Sequence, residues 1–126
     1  MNIVLDSSLW IEFLAGKQMD PSIMRAVRNK DGLIVPVICL YEVRKKFLND
    51  NDSEKADLAV EIMKIGRVVE FDSDLAVLAS DSGKKYKLHM ADSIIYATAR
   101  SRGAELYTQN THFQGLEGAQ CFPKAK

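Results

Sequence analysis

Cysteine, proline and long hydrophobic runs are all scarce in this sequence. The chain has two cysteines, Cys39 and Cys121, and they do not form a CxxC pair. Two such distant cysteines provide neither a disulfide framework nor a structural zinc site, so we expect reduced, buried thiols and a cytoplasmic protein. The longest apolar run, residues 33–41, contains Pro36 and is far shorter than the roughly 20 residues of a membrane helix. These shortages exclude a disulfide-stapled scaffold and predict a protein without a membrane segment.

The sequence also lacks an excess of positive or negative charge. The chain has 17 Lys+Arg and 17 Asp+Glu, so its formal net charge is zero. This balance argues against a protein that binds nucleic acid by bulk attraction alone. A composition of 47% hydrophobic and 27% charged residues excludes a disordered tail and a coiled-coil rod. We expect one domain, residues 1–126, with a core large enough to need no crosslinks. Only residues 3–5 form an apolar run before Asp6, which predicts no secretory leader.

Strand and helix patterns alternate along the chain. A short apolar strand over residues 2–5 is followed by a helical pattern that ends near Gly16. The later predicted strands cover residues 33–37, 68–71, 105–108 and 119–122, and the later helices begin near residues 21, 39, 53, 73 and 91. Alternation of this kind predicts an α/β fold with a mainly parallel sheet and helices packed against it.

Four polar residues follow predicted strands or open predicted helices. Asp6 comes directly after the first strand, Glu42 lies near the start of the helix after the second, Asp92 opens the helix at residue 91, and Asn110 follows Thr108 at the end of the fourth strand. Because ligands collect outside the carboxyl ends of parallel strands, we expect these four side chains to converge on one rim of the sheet.

Clustered carboxylates repel one another unless a cation neutralises them. Oxygen ligands without a cysteine or a paired histidine favour Mg²⁺ or Mn²⁺ over zinc. Ions of this kind activate water and neutralise charge at a phosphodiester. The residue types therefore suggest phosphodiester hydrolysis by activated water, with no protein nucleophile.

Each of these residues also has an ordinary structural explanation. Asp6 and Asp92 suit helix starts, and Glu42 could pair with Lys45 or Lys46 on a solvated face. Asn110 is a typical turn residue. Ser8 and Thr108, which we predict as supporting polar groups at the site, are also suited to capping a helix or ending a strand. Spacing alone leaves both explanations open.

Four segments resemble the motifs of PIN-domain proteins, and in particular of VapC-type toxins, in the order of that family. They are residues 3–12 (IVLDSSLWIE), 36–43 (PVICLYEV), 91–100 (ADSIIYATAR) and 106–113 (LYTQNTHF). Together the match extends over residues 3–122. The resemblance implies a three-layer PIN-like domain with metal ligands at Asp6, Glu42, Asp92 and Asn110, of which the three acids are also the predicted catalytic residues. The family commonly has Asp where this chain has Asn110, so the amide puts a second metal in doubt.

The resemblance further implies a Mg²⁺- or Mn²⁺-dependent endoribonuclease. Such a protein would be the toxin of a toxin–antitoxin pair, a homodimer that cuts a tRNA or rRNA loop and is inhibited by a small antitoxin. Three lysines before the Asp92 helix, Lys84, Lys85 and Lys87, could guide an RNA backbone, although a charge run is usually a solvated face. Two other functions remain open. One is a degenerate PIN domain that binds RNA or a protein partner without cutting. The other is a haloacid-dehalogenase-type phosphatase, which requires a second Asp two residues after the first; this chain has Ser8 there, which argues against that function.

Overall fold

The computed structural model of this protein describes residues 1–124, and its central feature is a five-stranded sheet. In chain order the elements are β1 (Ile3–Leu5), α1 (Ser7–Leu14), α2 (Pro21–Arg28), β2 (Leu33–Pro36), α3 (Val37–Asn49), α4 (Ser53–Met63), β3 (Arg67–Val69), α5 (Ser73–Tyr86), α6 (Met90–Ser101), β4 (Glu105–Thr108) and β5 (Ala119–Cys121). Short 3₁₀ turns cover Lys30–Gly32 and Thr111–Phe113. The alternation of strands and helices predicted above is confirmed.

All of the strand pairs are parallel, in the spatial order β3-β2-β1-β4-β5. Strand β1 is fully buried between β2 and β4, with Val4 opposite Ile34 on one side and Leu106 on the other. Parallel strands are covered by helices on both faces, which explains why β1 and β2 are continuous apolar runs without alternation. The fold is the three-layer α/β arrangement with a parallel central sheet.

Two helical hairpins complete the layers, α3 with α4 and α5 with α6. Their inner faces are lined by small residues, Ala56 and Ala59 on α4 and Ala79 on α5, which allow the helices to pack closely. Helix α6 is buried continuously from Ser93 to Ala99. Its first turn, which precedes this buried stretch, carries Asp92.

Several predicted boundaries are wrong by a few residues. Helix α3 begins at Val37, directly after Pro36, so Glu42 lies in its second turn. Strand β3 ends at Val69, and Phe71, predicted within this strand, is 45% exposed. Helix α5 continues to Tyr86, well past the apolar residues on which its prediction depended. No helix in the described part of the chain is long and apolar enough to cross a membrane.

Candidate active site

The carboxyl edge of the sheet brings the predicted site residues together. A cleft of about 350 Å³ is lined by Asp6, Ser7, Ser8, Ile11, Glu42, Asp92, Ile95 and Asn110. Five parts of the chain supply the polar side chains: the end of β1, the first turn of α1, helix α3, the first turn of α6 and the loop after β4. The three acids and the amide that the sequence predicted therefore line one cleft.

Asp6 is the most buried of the acids, with 5% of its surface exposed. Its Oδ1 accepts hydrogen bonds from the Ser8 hydroxyl at 2.7 Å and from the backbone N–H of Leu9 at 3.2 Å. Its Oδ2 accepts a hydrogen bond from the hydroxyl of Thr108. Asp6 is thus both the N-cap of α1 and part of the cleft lining. The sequence left a helix cap and a site residue as alternatives, and the structure shows that one side chain occupies both positions.

Burial dominates the electrostatics of Asp6. Loss of solvent raises the pKa of its carboxyl group, and the nearby charge of Asp92 raises it further. The hydrogen bonds from Thr108, Ser8 and the Leu9 N–H act in the opposite direction. A buried carboxylate beside another carboxylate is costly to ionise, and a cation in the cleft would remove that cost.

Glu42 reaches the cleft from α3. Its Oε1 accepts a hydrogen bond from the Ser7 hydroxyl at 2.6 Å, which ties α3 to the start of α1. The alternative pairing of Glu42 with Lys45 or Lys46 is not observed, because Lys46 pairs with Asp50 at 3.2 Å and the Lys45 ammonium lies over the Tyr41 ring.

Asp92 and Asn110 meet across the cleft. The Nδ2 of Asn110 donates to the Oδ2 of Asp92 at 3.1 Å, and its Oδ1 accepts from the backbone N–H of His112 at 2.9 Å. Asn110 therefore caps the 3₁₀ turn, as a turn residue would, while its amide also touches a predicted metal ligand. Its own backbone N–H donates to the Thr108 hydroxyl at 2.9 Å, so Thr108 links Asp6 to Asn110.

One residue of the cleft, Ser7, was missed by sequence reasoning, and a cysteine predicted to be buried lies behind the cleft. Ser7, seen in the sequence only as a possible cap, holds Glu42, and its position directly after Asp6 was the available signal. Cys39 is fully buried behind the cleft, where burial, aided by the charges of Glu42 and Asp6, raises the pKa of its thiol well above the ordinary value. This thiol is neutral and inert at physiological pH.

The predicted lysines do not line the cleft. Lys84 and Lys85 lie in the last turn of α5, and Lys87 is the left-handed C-cap of that helix with φ 56°. A Cβ added at Gly83, just before them, would lie 3.4 Å from the Cβ of Ser93 on α6, so this end of α5 runs close to the element that carries Asp92. A basic residue that the sequence analysis did not select, Lys124, lines a neighbouring depression with Ser8 and Asn110.

The donor chemistry of the cleft suits a hard divalent cation. Each polar side chain in its lining offers an oxygen, and Mg²⁺ and Mn²⁺ prefer such ligands. Among residues 1–124, no three carboxylate, imidazole or thiolate side chains are grouped closely enough to ligate one ion together. Mg²⁺ usually keeps several waters and takes only one or two protein carboxylates, so a site for it does not need three grouped side chains.

The fold is similar to that of several solved toxin–antitoxin proteins. A toxin–antitoxin complex from Klebsiella pneumoniae superposes with a TM-score of 0.78 at 21% identity, over 98% of this chain and 100% of that chain. A DNA-bound VapBC from Salmonella typhimurium gives a TM-score of 0.79 at 18% identity, over 98% of each chain. VapC20 from Mycobacterium tuberculosis, described as a sarcin-ricin loop cleaving toxin, gives a TM-score of 0.66 at 17% identity, over 96% of this chain and 89% of that chain.

No curated protein sequence matches the chain. The family model for the PIN domain does match, over residues 3–118, a range that contains the whole cleft and all four motifs. With the parallel sheet, the acidic cleft at its carboxyl edge and this match taken together, the chain belongs to the PIN domain family.

Proposed function

We propose that this protein is a divalent-metal-dependent endoribonuclease that acts as the toxin of a toxin–antitoxin pair. The observation that supports this most is the placement of Asp6, a nearly buried carboxylate whose ionisation is opposed by burial and by Asp92. Proteins rarely keep such an arrangement unless a cation or a reaction uses it.

The cleft residues have distinct tasks in this proposal. When bound, a Mg²⁺ or Mn²⁺ ion neutralises phosphate charge and activates water. Asp6 and Asp92 would hold that ion, while Ser8 and Thr108 keep Asp6 oriented through its two oxygens. Glu42, which accepts a hydrogen bond from Ser7, would ligate the ion through water or orient the attacking water. Asn110 lends an uncharged amide to the same edge and orients Asp92.

The proposed partners follow from the family resemblance. An antitoxin segment that carries a basic side chain would complement the carboxylates of the cleft and exclude RNA from it. The solved relatives include toxin–antitoxin complexes from Klebsiella pneumoniae and Salmonella typhimurium, which supports such a partner here. The substrate is an unstacked tRNA or rRNA loop, because only exposed backbone can enter a recessed cleft. The homodimer stays a prediction, which sedimentation of the purified protein tests directly.

Cleavage of a total tRNA mixture by purified protein tests the proposed activity. We expect cutting with Mg²⁺ or Mn²⁺, none in EDTA, and none with Asp6→Asn. A matched control is Asp72→Asn. Asp72 is the exposed N-cap of α5, accepts a hydrogen bond from the Leu75 N–H at 2.9 Å, and lies outside the four motif segments. Cutting by Asp6→Asn at the parent's rate would contradict the proposal.

A PIN domain that binds RNA or protein without cutting is the second candidate. Its support is the Asn110 amide, which donates to Asp92 and brings no negative charge to the cleft. This candidate predicts metal-independent RNA binding with no cleavage in the assay above. The phosphatase alternative is not retained, because the position of its second Asp holds Ser8, whose hydroxyl donates to Asp6.

Lys84, Lys85 and Lys87 remain a predicted RNA contact. For single-stranded RNA, each phosphate contact contributes about −0.7 to the slope of log affinity against log salt. Replacing all three with Gln should reduce that slope by about 2 if each contacts a phosphate, measured in EDTA to prevent cleavage. Lys64→Gln at the exposed end of α4 is the control. An unchanged slope would assign the three lysines to a solvated surface.

A further inference from the structure

The fold brings the chain's only two histidines together beside the cleft. His89 and His112 are distant in sequence, yet their ring centroids are 6.0 Å apart, with 51° between the ring planes. Both side chains are exposed, so their rings are free to turn. Neither ring belongs to the lining of the cleft, which makes the pair a separate feature of the rim.

Short backbone links connect this histidine pair to the site residues. His89 is the N-cap of α6 and does not use its side chain to cap the helix, and Asp92 follows in the first turn. His112 donates its backbone N–H to the Asn110 side chain, whose amide in turn contacts Asp92. The pair therefore bridges the first turn of α6 and the 3₁₀ turn Thr111–Phe113.

The separation of the rings is close to what one shared metal ion requires. With Zn–N bonds of about 2.0–2.1 Å and tetrahedral angles, two ligating imidazoles have centroids roughly 5 Å apart. The observed separation of 6.0 Å is close to that distance, and both rings are exposed, so a side-chain rotation would be enough to bring them there. Imidazole nitrogen prefers borderline transition metals to Mg²⁺ or Mn²⁺.

We propose that His89 and His112 form a two-histidine site for Zn²⁺ or a similar transition-metal cation, distinct from the oxygen-lined cleft. The carboxylate of Asp92, one amide away from His112, gives the site a negative neighbour, which favours a cation over a phosphate. A bound ion would pin the 3₁₀ turn to α6 and so restrain Asn110 against Asp92. This site does not depend on whether the protein cleaves RNA.

Proton NMR of the metal-free protein provides a direct test, because the chain yields only two sets of imidazole resonances. The cleft is first saturated with excess Mg²⁺, and Zn²⁺ is then titrated. We expect both sets of imidazole resonances to change together along one binding curve and the thermal midpoint to rise. Excess Mg²⁺ alone should leave both sets in place.

Variants identify the ligands. His89→Gln and His112→Gln should each weaken Zn²⁺ binding at least tenfold, since even outer-sphere partners of a metal contribute 10–100-fold, roughly. The double variant should be little worse than either single one, because one loss already breaks the pair. Thr111→Ala, an exposed neighbour of His112, is the control and should bind as the parent does.

Three results would overturn this proposal. The first is Zn²⁺ affinity within about twofold of the parent in either histidine variant. The second is a shift of only one set of imidazole resonances. The third is a shift of both sets with inorganic phosphate but not with Zn²⁺, which would assign the pair to an anion such as an RNA backbone.

Discussion

Asp6 serves two purposes that conflict without a cation. As an N-cap it stabilises α1, and as a buried carboxylate near Asp92 it destabilises the fold when ionised. An Asn at this position keeps the Oδ1 acceptor for Ser8 and Leu9, and the Thr108 hydroxyl can turn to accept from the new amide. The substitution removes the charge and leaves the Thr108 O–H without its Asp6 acceptor.

We therefore expect Asp6→Asn to raise the free energy of unfolding in EDTA at pH 7, by more than about 0.5 kcal/mol. Because the pKa of Asp6 is raised by folding, its ionised form is destabilising above that pKa, and the gain should shrink as acid protonates the parent. Urea unfolding of the parent and the variant at about pH 4 and about pH 7 measures how this difference in the free energy of unfolding changes with pH.

Asp72→Asn is the matched control, since it replaces an exposed cap of the same type. Asn and Asp are similarly good N-caps, so its effect should stay within about 0.5 kcal/mol and vary little with pH. A variant of Asp6 that is clearly less stable than the parent at pH 7 would mean that the carboxylate is mainly a structural cap.

Asn110 is the residue where this chain departs from the family pattern. Asn110→Asp would place a second carboxylate against Asp92, where the amide now donates at 3.1 Å. We expect lower stability in EDTA and about tenfold tighter Mn²⁺ binding, which corresponds to about 1.4 kcal/mol of added attraction. Calorimetric titration of Mn²⁺ measures the affinity.

Asn49→Asp, on the exposed end of α3, is the control for added charge. It should change neither quantity beyond the effect of general surface charge. Equal Mn²⁺ affinities for the parent and Asn110→Asp would remove Asn110 from the metal site and leave it as the cap of the 3₁₀ turn.

At the scale of elements, the end of β4 joins two parts of the site. Thr108 is completely buried, its hydroxyl donates to Asp6 at the end of β1, and the same oxygen accepts from Asn110. Thr108→Val keeps the shape and removes both bonds, which should cost about 1–3 kcal/mol because a half-buried N–H and a buried carboxylate oxygen lose partners. Urea unfolding measures this cost.

A second buried threonine provides a control for the Thr108→Val substitution. Thr98 on α6 donates only to the Ile94 carbonyl of its own helix, at 2.7 Å. Thr98→Val should therefore cost less than about 1 kcal/mol, since such back-bonding does little for a helix. Similar costs for the two substitutions would show that the Thr108 hydroxyl does not carry the connection between β1 and the loop after β4.

For the molecule as a whole, metal binding and folding are linked. A ligand that binds only the folded state adds about 1.4 kcal/mol of stability at tenfold excess over its Kd. We expect Mn²⁺ to raise the thermal midpoint of the parent and to have little effect on Asp6→Asn, as measured by calorimetry with His112→Gln as a control for the histidine pair. An equal Mn²⁺ response in parent and Asp6→Asn would contradict a cation in the cleft.

Much of this molecule was predictable because local patterns carry the information. The apolar run of residues 3–5 ended by Asp6 predicts a buried strand and a cap, and the stripe of α6 predicts a buried helix. Parallel order then follows from the alternation of strands and helices, so even the rim on which Asp6, Glu42, Asp92 and Asn110 meet was predicted. One domain over residues 1–126 stays a prediction.

Boundaries failed where local signals are weak. The last turns of α5 carry charge in place of an apolar stripe, and there the helix lies against α6, its partner in the hairpin. Helix α3 starts earlier than predicted because Pro36 at its N-cap is compatible with an immediate helix. Tertiary contacts decide such positions.

Sequence alone thus determined the fold class and the identity of the acids, because strand burial, caps and charge are properties of neighbouring residues. Only the tertiary structure decided which side chains form hydrogen bonds at the site: Ser7 donates to Glu42, Thr108 to Asp6, and Asn110 to Asp92. It also brought His89 to His112. These pairs join residues from different elements, and their contacts depend on side-chain geometry that no local pattern encodes.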